Sequence, residues 1–246
     1  MLGTTAAAGA LIGISALAPF RVFVAVIALL VGAFATGWGG AVGAPSKSAS
    51  SAVATMVGTW TFFIGLIYAD FAVVPFVFAF APITAFIAEF FRSRHTHVAV
   101  SIVTSAGGAL VATIGAGWVT LDQVATWRTL ASPMGWMLCF VPLVVFAKHR
   151  YLRALLGGAA GGVVAAATLW VAPKTVATIF AGVIPGSIGL PFFATTGGAV
   201  LFMVEGIIID LLGNGRSGRA GATALGTIIP LLTVIPTYAM VRIAAM

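Results

Sequence analysis

The sequence predicts an all-α fold, a polytopic bundle of transmembrane helices with nine or ten spans, and three observations carry that prediction. Hydrophobic residues make up 61% of the 246 and charged residues 7%, with a mean hydropathy of +1.16, more apolar than a water-soluble domain of this size. Apolar runs of about 20 residues recur from end to end, each long enough to cross a hydrocarbon core of about 30 Å as a helix. Only short polar connectors separate these runs, so residues 1–246 read as a single membrane domain with no soluble appendage. A membrane β-barrel would alternate apolar and polar residues in segments of about ten, and no such alternation occurs.

The first run, from Leu2 to Pro19, has no basic stretch before it and reads as a first helix over 4–19 rather than a cleaved signal. Further spans are predicted at 22–43, 51–69, 71–91, 98–119, 129–147, 154–172, 195–212 and 220–241. The stretch 175–193 differs. Pro185-Gly186 and Gly189-Leu190-Pro191 punctuate it, and proline removes a helical hydrogen bond. Backbone freed at membrane depth has to be buried in protein or line a watery cavity, so an interrupted or re-entrant segment is expected.

The net charge of +7 lies in the connectors rather than on one helix face, the pattern of topology signals and not of nucleic-acid binding. If 175–193 crosses, seven basic residues share a side against five. If it re-enters, Lys47, Arg92, Arg94, Lys148, Arg150, Arg153, Arg216 and Arg219 make eight against four. The second arrangement follows the positive-inside tendency better and puts the N-terminus in the cytoplasm. A faint internal repeat relates Glu89, Arg92, Arg94 and the Ser101–Gly108 helix to Asp210, Arg216, Arg219 and the Ala220–Gly226 helix. Halves 1–123 and 124–246 of five helices each would then be inverted, as in many transporters.

Glu205 is the deepest ionisable group, inside Gly197-Gly198-Ala-Val-Leu-Phe-Met-Val-Glu205-Gly-Ile-Ile-Ile-Asp210. A carboxylate there costs at least a few kcal/mol unless protonated, paired or hydrated, so such groups face a bundle interior or a pathway. It is read either as a proton or cation coupling site or substrate contact, or as a hydrogen-bonded Glu that fixes packing. Asp210, five positions on and near the helix end, suits an interfacial role. Asp70, Asp122 and Glu89 sit within about a turn of span ends, where solvation is the default, and Glu89 is spaced to pair with Arg92 or Arg94.

His95 and His97 could give two metal ligands, but two neighbouring arginines and no nearby acid or cysteine favour a connector against anionic headgroups, with no metal. Gly157-Gly158-Ala-Ala-Gly161-Gly162 holds two overlapping small-xxx-small spacings, which predict close helix packing or a dimer contact. Trp38, Trp118, Trp127, Trp136 and Trp170 fall mostly near span ends, where an interfacial belt is expected. The single Cys139 cannot form an internal disulfide.

No H-E-x-x-H, G-x-S-x-G or phosphate-cradling glycine motif occurs, so neither an enzyme nor a cofactor is expected. The predicted function is a small inner-membrane secondary transporter or permease subunit moving a small solute or ion, embedded in the lipid bilayer, alone, as a homo-oligomer or with a partner subunit. Its site would join Pro185, Gly186, Gly189 and Pro191 of the interrupted segment to Glu205 and Asp210, with Glu205 coupling protons. The alternative is a non-transporting anchor or assembly subunit of a larger membrane complex.

Overall fold

The structure, a computed structural model, describes residues 1–92, 97–123, 127–171, 186–212 and 218–244. Eleven α-helices occur among them: α1 Leu2–Ser15, α2 Phe20–Ala41, α3 Lys47–Tyr68, α4 Val73–Phe78, α5 Ala81–Phe90, α6 Val98–Ala116, α7 Trp127–Leu138, α8 Arg150–Val171, α9 Gly186–Leu212, α10 Arg219–Leu232 and α11 Val234–Ala244. Tighter 3₁₀ helices cover Gly117–Gln123 and Val141–Phe146, and the described residues contain no strand.

Among the described residues, seven stretches are long and apolar enough to cross a membrane: Phe20–Ala41, Lys47–Tyr68, Val73–Phe90, Val98–Asp122, Arg150–Val171, Pro191–Asp210 and Arg219–Ala239. Leu2–Ser15 and Leu130–Phe146 are shorter apolar helices, so each of the nine predicted spans has a helical counterpart. Three breaks fall four residues before a proline, although Pro133 and Pro230 sit inside α7 and α10 without breaking them. A proline has no N–H for the carbonyl four residues earlier. Accordingly α4 ends at Phe78, four before Pro82, α7 at Leu138, four before Pro142, and α10 at Leu232, four before Pro236.

The expected interruption at Gly189-Leu190-Pro191 is not a break. α9 runs unbroken from Gly186 to Leu212 with Pro191 inside it. The carbonyl that Pro191 leaves without a helical donor belongs to Ser187, in the first turn, where losing one bond leaves the rest of the helix intact. Pro185 and the remainder of the proposed re-entrant stretch lie outside the described residues, as does Arg94.

The chain forms two compact units that interleave in sequence. Unit 1 comprises Met1 and the described residues of Val24–Gln123 and Asn214–Val234. Its helices meet where side chains are small. A Cβ on Gly58 would stand 2.9 Å from that of Ala112, one on Gly115 2.6 Å from Leu231 Cδ2, and Gly108 lies under the ring of Trp38. Polar groups are paired across the same contacts: Ser50 Oγ and Ser105 Oγ are 2.9 Å apart, and Trp38 Nε1 donates to the Thr104 carbonyl at 2.7 Å. Trp118, fully buried, donates to the carbonyl of Pro230 at 3.2 Å. Arg92 lines one recess together with Ser46 and Ser48, the chain neighbours of Lys47, and the carbonyl of Lys47 lies against Gly39 near the Gly37–Ala220 contact, so Lys47, Arg92 and Arg219 share one end of the unit. Asp70 follows the C-terminus of α3 at the opposite end, where Phe71 lies against Gly117, and Asp122 lies in the same 3₁₀ helix as Gly117.

Unit 2 comprises the described residues of Leu2–Phe23, Val124–Gly213 and Ile235–Met246. Gly157 of α8 lies against the carbonyl of Gly198 in α9, and Gly161 against that of Ala194, so the predicted glycine spacing is a helix–helix interlock within the chain. The contacts step four residues in opposite directions, which makes α8 and α9 antiparallel. The last residue of α8 and the first of α9 therefore lie at the same end of the unit. α1 packs on α7 by a second interlock that the sequence reading missed, Gly9 against Leu138 and Gly13 against Gly135, with Ser132 Oγ donating to the Gly13 carbonyl at 3.2 Å.

The aromatic belt is only partly as expected. Trp170 is 86% exposed and Trp136 38%, but Trp38, Trp118 and Trp127 are buried. Trp127 packs with Phe20 and Phe23, ring centroids 5.9 and 4.7 Å away. A tryptophan near a span end can turn inward as readily as outward: Trp38 meets Gly108 and Phe34, Trp127 meets Phe20 and Phe23, and Trp118 bonds the Pro230 carbonyl.

Candidate functional site

α9 carries the carboxylate that the sequence singles out. Glu205 is fully buried, and its partner comes from α1, where Thr5 Oγ1 donates to Glu205 Oε1 at 3.3 Å. That is longer than the usual O–H···O range, so the bond is weak. Glu205 Oε2 is buried and has no hydrogen-bond partner among the described residues. A buried polar atom left unpaired costs about 1–3 kcal/mol, and an ionised one more. Glu205 is therefore a group whose present contacts under-satisfy it.

Its depth follows from the α8–α9 register. Glu205 lies seven positions beyond Gly198, and seven positions before Gly157 is Arg150, the first residue of α8. The carboxylate is thus level with the start of α8 and the second turn of α1, enclosed laterally but closer to one end of the unit than to its middle. Its neighbour Gly206 is covered by the side chain of Arg153, whose Cδ would stand 2.6 Å from a Cβ there. Arg153 continues outward to Asp210, with Nη1 and Nη2 donating to the two carboxylate oxygens at 2.9 and 3.2 Å, and Nε donates to the Ala147 carbonyl at 3.2 Å. The Asp210 side chain is 59% exposed, which fits its expected interfacial role. Its fork-on-fork partner was not foreseen; the only sequence signal is the glycine at 206, four positions before Asp210 on the same face.

The structure does not gather the predicted residues into one place. Gly186, Gly189 and Pro191 lie in the first turns of α9, and Pro191 precedes Glu205 by fourteen positions, about 21 Å of helix. Glu205 and Asp210 are at the other end of the same helix, facing different neighbours. Pro185 is outside the described residues. The site consequently reduces to Glu205 with Thr5, bordered by the Arg153–Asp210 pair.

In unit 1, Glu89 is a second buried carboxylate, only 4% exposed rather than solvated as expected. Arg92 Nη1 donates to its Oε1 at 2.8 Å, the local pairing that the spacing predicts, while Oε2 is buried and unpaired among the described residues. Asp70 is exposed, with Oδ1 accepting from the Ala72 amide at 3.0 Å, and Asp122 is exposed. His97 adopts a left-handed backbone conformation before α6, and His95 is outside the described residues.

No protein family, curated protein or solved structure matches the chain. The functional reading accordingly rests on the site and its surroundings.

Proposed function

We propose that this chain is a small secondary transporter, or the permease subunit of one, moving a small solute or ion across a cell inner membrane with proton coupling through Glu205. The observation that carries the reading is the fully buried Oε2 of Glu205, unpaired among the described residues, on a helix of membrane-crossing length. A carboxylate kept only to hold helices together is best served by full hydrogen bonding, whereas one that exchanges a proton or a cation needs an oxygen free to take it. Its position near one end of unit 2 places it within a short distance of the aqueous boundary on the side of Lys148, Arg150 and Arg153.

The same basic clusters support a cytoplasmic N-terminus. In unit 2 the N-terminal turns of α1 lie at the Lys148–Arg153 end, with Arg21 and Arg128 opposite. In unit 1 Lys47, Arg92 and Arg219 share an end, and Asp70 and Asp122 lie at the other. Both distributions follow the positive-inside tendency. No bond-breaking chemistry is part of the proposal.

The reading is tested with the purified protein in vesicles loaded with a pH-sensitive dye and exposed in turn to amino acids, organic acids and inorganic ions. The wild type should couple proton entry to at least one solute, and Glu205→Gln should abolish the coupling while leaving solute exchange in place. Full proton dependence in E205Q would remove Glu205 from the mechanism. The rival reading, a non-transporting anchor or assembly subunit, is favoured by the Thr5–Glu205 bond, which ties α1 to α9. It predicts a membrane partner that co-purifies in fixed ratio and is lost in E205A but not in E205Q.

A further inference from the structure

We infer that unit 2 carries a slot for one anionic phospholipid between α7, α8 and the turn that follows α1. A cavity of about 320 Å³ lies there, and its walls are apolar in effect. The two hydroxyls that the described residues place on them already donate, Ser132 Oγ to the Gly13 carbonyl and Thr168 Oγ1 to the Val164 carbonyl. Among the described residues the one charged side chain in the lining is Arg128, which is exposed and whose guanidinium carbon lies 5.5 Å from the ring centroid of Trp127.

The lining is ordered along the helix axes. Arg128 and Val171 mark the end where α7 starts and α8 stops. Trp136 lies eight positions further along α7, and Val164 seven positions back along α8, so the apolar trough runs about 10–12 Å inward from the arginine. The slot opens sideways, since Leu17 is 67%, Trp136 38% and Val171 74% exposed. A cation at the end of a span, with an apolar trough descending from it toward mid-membrane, matches a phosphate headgroup with its acyl chain beneath. Arginine suits that headgroup because its planar fork can bond two phosphate oxygens at once. Beyond Arg128 the described walls offer a polar solute no hydroxyl proton that is not already donated, and a zwitterionic lipid would bring a second cation to Arg128.

The experiment is native mass spectrometry of the intact full-length protein released from nanodiscs of dioleoyl-phosphatidylglycerol or dioleoyl-phosphatidylcholine. One basic residue at a membrane surface is worth about fivefold in affinity for an anionic lipid. The wild type should therefore retain one phosphatidylglycerol about fivefold more readily than one phosphatidylcholine. Arg128→Gln should erase that preference, and Lys148→Gln, at the opposite end of unit 2, should keep it. Ala167→Trp, which fills the slot from an exposed position, should cut retention of both lipids. Equal retention of the two lipids by the wild type, an unchanged preference in R128Q, or unchanged retention in A167W would each overturn the assignment. So would displacement by millimolar octanoate with no phosphatidylglycerol retained, which would make the slot a site for a soluble carboxylate.

Discussion

Gly161 of α8 lies directly against the backbone carbonyl of Ala194 in α9, with no room between them for a Cβ. Gly162, its neighbour in sequence, faces only the Thr195 methyl, 3.6 Å from where its Cβ would be. The pair separates packing from composition. Gly161→Ala should lower the midpoint of thermal unfolding by several degrees, in line with the roughly 1–3 kcal/mol that overpacking costs, and Gly162→Ala should leave it within about a degree. Size-exclusion chromatography after heating reads the difference. Equal behaviour of the two variants would mean that the interlock does not hold the helices.

Thr5 and Glu205 should show coupled energetics. Thr5→Val removes the described donor to Oε1 and leaves both oxygens of a buried carboxyl unserved, a loss of about 1–3 kcal/mol. Glu205→Leu removes the demand, so the double variant should be more stable than T5V alone. A double-mutant cycle with no coupling energy would show that the 3.3 Å contact contributes nothing.

Trp118 and Trp170 offer a contrast in surroundings, 0% and 86% exposed. In variants retaining one tryptophan each, lipid with brominated acyl chains should quench Trp170 strongly and Trp118 little. Trp118→Phe should in addition cost about 1 kcal/mol through the lost bond to the Pro230 carbonyl. Strong quenching at Trp118 would place that side chain at the lipid and not inside unit 1.

Asp210→Asn should have a small effect on stability, less than about 1 kcal/mol, because the pair is screened at an exposed carboxylate. Arg153→Gln should cost more, since it also removes the bond to the Ala147 carbonyl and the cover over Gly206. The order of the two midpoints in thermal unfolding checks the assignment, and a larger loss in D210N than in R153Q would reverse it.

The class of the protein and the positions of its spans were legible in the sequence because hydropathy and length are local sums, and no tertiary contact alters them. The 157–162 glycines were legible for the same reason: their spacing permits close approach whatever the partner. Glu205 stood out because an ionisable group in an apolar run is conspicuous without any structure. The helix breaks at Phe78, Leu138 and Leu232 were implicit in Pro82, Pro142 and Pro236, each four residues downstream. Tertiary structure alone decided which face of each helix points inward. A helix apolar all round carries no stripe to mark its buried side, so the inward turn of Trp38, Trp118 and Trp127 and the burial of Glu89 could not be read from pattern. The antiparallel register of α8 on α9, which sets the level of Glu205 and brings Arg153 to Asp210, depends on a pairing between residues about 30 to 60 positions apart. That pairing is chosen by the fit of whole helix surfaces and not by any residue's own character.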